Sequence, residues 1–181
     1  ISTLVLLKQT DRANAMLSRL SSFLRYTLVN EPTGQVTVEQ EVETLKLYLE
    51  IEKMRFEDRL RPHFMIEPGA AGAHLPSLLL QPLVENAIKY GVSPTREKVT
   101  LRIEARALGD GRLEIIVTNT GKPGAAPAED FVRVESTGVG LGNVCERLTA
   151  RFGAHAKCEF GPLPNGGYQV HIIMPLDRSN G

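Results

Sequence analysis

The chain has 181 residues, 42% apolar and 23% charged, a globular mix without the signature of a disordered segment. Its 21 basic and 21 acidic residues cancel, which argues against a general nucleic-acid binder, since that task needs a basic excess to neutralise phosphates. The longest apolar runs, such as Leu78–Leu80, are far too short to span a bilayer, and no secretory signal is read, so no membrane contact is expected of these residues.

The first residue is Ile1, inside a helical pattern, and the chain is expected to be a piece of something longer. Leu4, Val5, Ala13, Met16, Leu17, Leu20, Phe23, Leu24 and Leu28 recur at three-and-four spacing and predict a helix, with Asp11 placed to cap a second segment of it. Glu31-Pro32-Thr33-Gly34 reads as a turn. Thr37 followed by Gln40 is a capping box opening a second helix, which carries Val38, Val42, Leu45, Leu49 and Met54 on one face. Two such helices joined by a short turn make an antiparallel hairpin, whose apolar face serves either an internal core or a dimer.

Beyond residue 58 strands and helices alternate. Pro62–Glu67 reads as a short strand and Pro76–Tyr90 as an apolar helix, with Pro76 in its first turn and Gly91 ending it. Val99–Ala107 and Arg112–Asn119 alternate as strands around the turn Gly109-Asp110-Gly111. Lys122–Thr137 lacks any period and reads as a loop; Gly142–Phe152 is a helix stopped by Gly153. Lys157–Phe160 and Tyr168–Met174 are strands flanking Pro164-Asn165-Gly166-Gly167. The expected fold is α+β, a two-layer sandwich preceded by the helical hairpin, with residues 1–58 and 59–177 as its two parts. Cys145 and Cys158 form no CxxC motif and are expected to be plain packing residues without a disulfide, as in a reducing cytosol.

Three segments suit a magnesium-nucleotide site. In Leu80-Gln81-Pro82-Leu83-Val84-Glu85-Asn86-Ala87-Ile88-Lys89-Tyr90-Gly91, Glu85 and Lys89 stand four apart, so a surface ion pair accounts for them equally well. Asn86 is harder to dismiss, because asparagine is a poor helix former and its amide oxygen suits Mg²⁺. Val117-Thr118-Asn119-Thr120-Gly121 ends a strand with a polar side chain able to meet a purine edge, or simply with a turn. Gly138-Val139-Gly140-Leu141-Gly142-Asn143 precedes a helix and frees backbone N–H groups for phosphate oxygens. It is neither a dinucleotide fingerprint, which needs glycine at position 143, nor a Walker loop, since no Lys-Ser/Thr pair follows.

In that order the three segments resemble the GHKL superfamily of gyrase, heat-shock chaperone, histidine kinase and mismatch-repair ATPases, and more narrowly the LytS-type sensor histidine kinases. Leu20-Ser21-Ser22-Phe23-Leu24-Arg25-Tyr26, Tyr48-Leu49-Glu50-Ile51-Glu52 and Arg55-Phe56-Glu57-Asp58-Arg59 resemble the region after the phospho-acceptor in that family. Leu80–Gly91 resembles its N box, Asn119–Gly121 its first glycine box, and Gly138–Leu148 its second, including Asn143 and Arg147. The resemblance implies ATP and Mg²⁺ as ligands, with Asn86 on the metal and Lys89 facing the phosphates. Asn119 would meet the adenine, Gly121 would lie under the base, and Gly138, Val139, Gly140, Leu141, Gly142 and Asn143 would close on the phosphate tail. Lys122–Thr137 would be a mobile lid.

The resemblance also implies a homodimer, a response-regulator receiver domain as partner, and the cytoplasmic portion of a membrane-anchored sensor. The family's acceptor histidine sits in a Pro-His-Phe-Leu-Phe-Asn motif absent here. His63, His74, His155 and His171 lack that context and are expected to be structural or surface residues, so the chain is expected to bind nucleotide without phosphorylating itself. Asn119 stands where the superfamily usually has aspartate. An amide makes a neutral bond to the adenine amino group, weaker by about 1 kcal/mol, and can flip toward guanine. Three rivals share parts of the pattern. A gyrase-type hydrolase wants a carboxylate where Pro82 stands; an anti-sigma-type serine kinase would lack the hairpin; an interaction module would have lost its nucleotide.

Overall fold

A computed structural model describes residue 3 and residues 9–29, 34–120 and 140–178. Helix α1 (Thr10–Val29) runs back along α2 (Val38–Phe56), the expected hairpin, with Phe23 and Tyr48 rings 6.0 Å apart between them. Asp11 lies in the first turn of α1 rather than at a cap. Leu4, Val5 and the turn residues Glu31–Thr33 fall outside the described residues. The capping box forms: Gln40 N–H donates to Thr37 Oγ1 (3.2 Å) and Thr37 N–H to Gln40 Oε1 (2.9 Å).

The main sheet has the order β2 (Leu60–Ile66), β4 (Val99–Ala107), β5 (Arg112–Asn119), β7 (Tyr168–Pro175), β6 (Lys157–Pro162). All neighbours are antiparallel except β2 and β4, whose parallel pairing follows from the long crossover between them. That crossover holds a helical turn α3 (Pro68–Ala71), strand β3 (His74–Pro76) and helix α4 (Leu80–Ala87). Helix α5 (Leu141–Phe152) follows β5 and stops at Gly153, φ 55°, whose N–H reaches Thr149 O. Strict alternation puts Leu101, Ile103, Leu113, Ile115, Val117, Val170 and Ile172 on the covered face of the sheet. The opposite face carries a chain of polar contacts in which Glu104 pairs with Arg102 and Arg106, Glu114 pairs with Arg106, and His171 Nε2 lies against Glu114.

One core joins the covered sheet face to α4, α5 and also α2, through Val38, Val42, Leu45, Leu49 and Phe56. The α+β two-layer fold is therefore as expected, with α2 in its helical layer. Two details differ. Pro76 is not in a helix: residues 74–76 pair antiparallel with β1 (Gln35–Thr37), and α4 opens only at Leu80, leaving Pro82 in the first turn, where its missing N–H costs nothing. Cys145 and Cys158 are joined in a disulfide, Cα–Cα 5.5 Å, which overturns the expectation of two plain packing residues. The short turn Gly153–His155 sends β6 back beside α5, so cysteines 13 residues apart become neighbours.

Candidate functional site

Helix α4 is wedged between sheet and helices by Leu80, Leu83, Val84 and Ala87, and it packs against both β5 and α5. Within this apolar setting Asn86 is only 9% exposed. Desolvating an amide is costly unless something bonds it, so its retention in this helix is informative. After Ala87 the chain widens into a π-turn over Ile88–Val92, a feature frequent at functional sites. Gly91 therefore does not end the helix as expected. It makes room: a Cβ there would lie 2.6 Å from Asn119 Nδ2 and 2.8 Å from Asn119 Cγ. Asn119, at the end of β5 and 4% exposed, thus closes against the end of the α4 segment.

Lys89 projects to solvent with Nζ 4.9 Å from the Tyr90 ring. It does not pair with Glu85, whose carboxylate instead accepts from Gln81 Nε2 at 3.0 Å. Gly140 starts α5 at φ 92° and ψ −109°, a conformation reserved for glycine, and Leu141 behind it is buried. Gly142 and Asn143 follow in the first turn, half-buried and exposed. Asn86, Lys89, Asn119 and the Gly140–Asn143 turn thus sit on elements that pack together. Gly121, Gly138, Val139 and the expected lid Lys122–Thr137 lie outside the described residues. The histidines stay apart from this corner in partnership: His171 Nε2 meets Glu114 Oε1 at 2.9 Å, His74 Nδ1 meets Asp177 O at 3.2 Å, and His63 and His155 are exposed.

Sequence reasoning missed what holds α4 at its start. Glu41 of α2 is 5% exposed, and its carboxylate accepts the N–H groups of Leu79 (2.5 Å) and Leu80 (3.2 Å). Burial pushes the Glu41 carboxyl up to about 7, against the opposing pull of those two N–H groups and of Arg147. Arg147 of α5 donates to Ser77 O (2.7 Å) and Leu78 O (3.3 Å), the carbonyls just upstream. The available signal was a carboxylate inside the Val38–Val42–Leu45 stripe, where the helical period wants an apolar residue. Nearby, burial raises the Glu52 carboxyl, with Arg55 opposing and Glu85 adding to the shift; burial and the same two carboxylates raise the Tyr48 hydroxyl.

The fold is that of a GHKL-type ATPase domain with a helical hairpin built onto it. Residues 73–178 match the family described as histidine kinase-, DNA gyrase B-, and HSP90-like ATPase, and residues 1–60 match the histidine kinase family. The chain belongs to the histidine kinase-, DNA gyrase B-, and HSP90-like ATPase family. It is 34% identical over 171 residues to the sensor histidine kinase BtsS of Escherichia coli strain K12, covering 94% of this chain and 29% of that one. It is 27% identical to the sensor protein LytS of Enterococcus faecalis, covering 94% of this chain and 30% of that one. The chain thus spans about three tenths of the length of these relatives. Among solved structures, histidine kinase AdeS of Acinetobacter baumannii superposes with a TM-score of 0.56 at 16% identity, over 96% of this chain and 83% of that one. The catalytic domain of histidine kinase ThkA gives 0.57 at 16% identity, over 79% of this chain and 95% of that one.

Proposed function

We propose that this chain is the ATP-binding catalytic portion of a two-component sensor histidine kinase. The reading rests on a buried Asn86, the Gly91–Asn119 contact and the glycine-only start of α5 at Gly140, all on elements that pack together. The donor set suits Mg-ATP: an amide oxygen for a hard cation, a lysine free to reach phosphates, and a helix N-terminus for anionic oxygens. Asn86 would hold Mg²⁺ and Lys89 the phosphates. Asn119 and Gly121 would take the base, and Gly138, Val139, Gly140, Leu141, Gly142 and Asn143 the phosphate tail. Bound Mg²⁺ would supply charge neutralisation; the protein's part is orientation, since phosphoryl transfer asks little covalent chemistry of it.

In this reading residues 59–177 present the γ-phosphate to a histidine outside residues 1–181, for onward transfer to an aspartate on a response-regulator receiver domain. Residues 1–58 belong to the helical phosphotransfer region and would form a homodimer, in a sensor anchored to a membrane. Among the solved relatives, ThkA is known in complex with the response regulator TrrA. Transfer is favoured over hydrolysis because Pro82, one helical turn before Asn86, cannot act as a base toward water. The test is calorimetric titration with Mg-ATP of the parent, Asn86→Asp and Gly140→Ala. Saturable binding that both changes weaken supports the site; a folded parent that binds nothing overturns it.

A further inference from the structure

The start of α4 is held from two sides by residues that the nucleotide site does not itself use. On one side Glu41, from the helical hairpin, takes the Leu79 and Leu80 N–H groups, two of the orphan donors at a helix N-terminus. On the other, Arg147 of α5 takes the Ser77 and Leu78 carbonyls. Between them Leu78 is left at φ 57°, a left-handed conformation costly for a leucine, which persists only where its surroundings impose it. Arg147 is the charged group facing Glu41; β1, the turn and α4 offer it only neutral side chains, Val36, Ser77 and Gln81. The helix held this way carries Asn86, and the π-turn that continues it brings Gly91 against Asn119.

We infer that Glu41, opposed by Arg147, is a positioning residue that seats α4 and thereby sets the nucleotide geometry from within the helical hairpin. A displacement of α2 would move the carboxylate that caps α4, and the cap would carry the displacement to Asn86 without any contact between hairpin and nucleotide. The inference rests on the nucleotide-binding reading above.

The test compares the parent with Glu41→Gln in the whole chain at pH 8, measuring Mg-ATP affinity, thermal midpoint and residue-resolved amide exchange. Glutamine offers one acceptor and turns a donor toward a donor, so the seat loosens, while removal of a buried charge offsets the stability lost. The expected result is Mg-ATP binding weaker by about tenfold, an unlowered midpoint, and faster exchange confined to Leu80–Ala87. Glu43→Gln, on the exposed side of the same helix, should leave all three readings as in the parent. Unchanged affinity in Glu41→Gln, a midpoint falling in step with affinity, or an equal loss in Glu43→Gln would each overturn the inference. Should Glu41→Gln not fold, Arg147→Met, at an exposed side chain, carries the same readings. If the parent itself binds no Mg-ATP, the functional reading fails separately, and the exchange arm decides: faster exchange restricted to α4 upholds the seat, and unchanged exchange removes it.

Discussion

The two helices of the hairpin are nearly equal in length and answer to different masters. Helix α2 buries Val38, Val42, Leu45, Leu49 and Phe56 in the core it shares with the sheet, and its first turn is closed by a complete capping box. Of the α1 side chains described, only Ala13 is buried, and Leu17 and Leu24 are 46% and 48% exposed. The two are tied by Phe23 on Tyr48 and by exposed ion pairs, Arg19 with Glu50 and Arg12 with Glu57 just past the end of α2, which contribute little in water. A helix hairpin on paper is, energetically, one helix of the layer that covers the sheet with a second leaning on it.

The comparison breaks or holds on a mutant pair. Leu45→Ala, at a fully buried position, should cost about 2–5 kcal/mol in denaturant unfolding, whereas Leu17→Ala should stay within about 0.5 kcal/mol. Equal costs would show that α1 is as deeply committed as α2. Helix α5 is anchored covalently as well as by burial. Reducing Cys145–Cys158 should lower stability by about 3 kcal/mol, and the reductant should do nothing further to Cys145→Ser.

Glu41 gives α2 a pH signature. Its carboxyl binds a proton more tightly folded than unfolded, about 7 against 4.5, so its contribution to stability is full below pH 4.5 and is lost as pH rises through 7. The decline is on the order of 3 kcal/mol, and it should vanish in Glu41→Gln when melts are compared across that window. At the smaller end, Thr37→Ala should remove about 1 kcal/mol by opening the α2 cap. Asn119→Asp should sharpen ATP over GTP in competition binding by about 1 kcal/mol; an unaltered ratio would show that the amide does not set base choice.

Strands β4 and β5 were legible to the residue, because one wetted face and one buried face impose a strict alternation on Val99–Ala107 and Arg112–Asn119. The three-residue strands β1 and β3 were not, since a run that short carries no period, and Leu78–Leu80 mimics the interior of a helix. Asn86 could be singled out as a candidate from its unsuitability for an apolar helix. The long-range links were not legible: the disulfide, the Gly91–Asn119 contact and the Glu41 cap each link residues that only the tertiary fold brings together.

The shared core has a consequence for anyone building chimaeras by exchanging the helices that precede the main sheet. A splice between α2 and β2, where the family boundaries invite it, would transplant a foreign helix into half of a fitted interior and exchange Glu41 for whatever the donor supplies. A splice ahead of Gln35 keeps α2, its capping box and the β1–β3 pair with the scaffold they were shaped against, and leaves the exchangeable piece to end in α1.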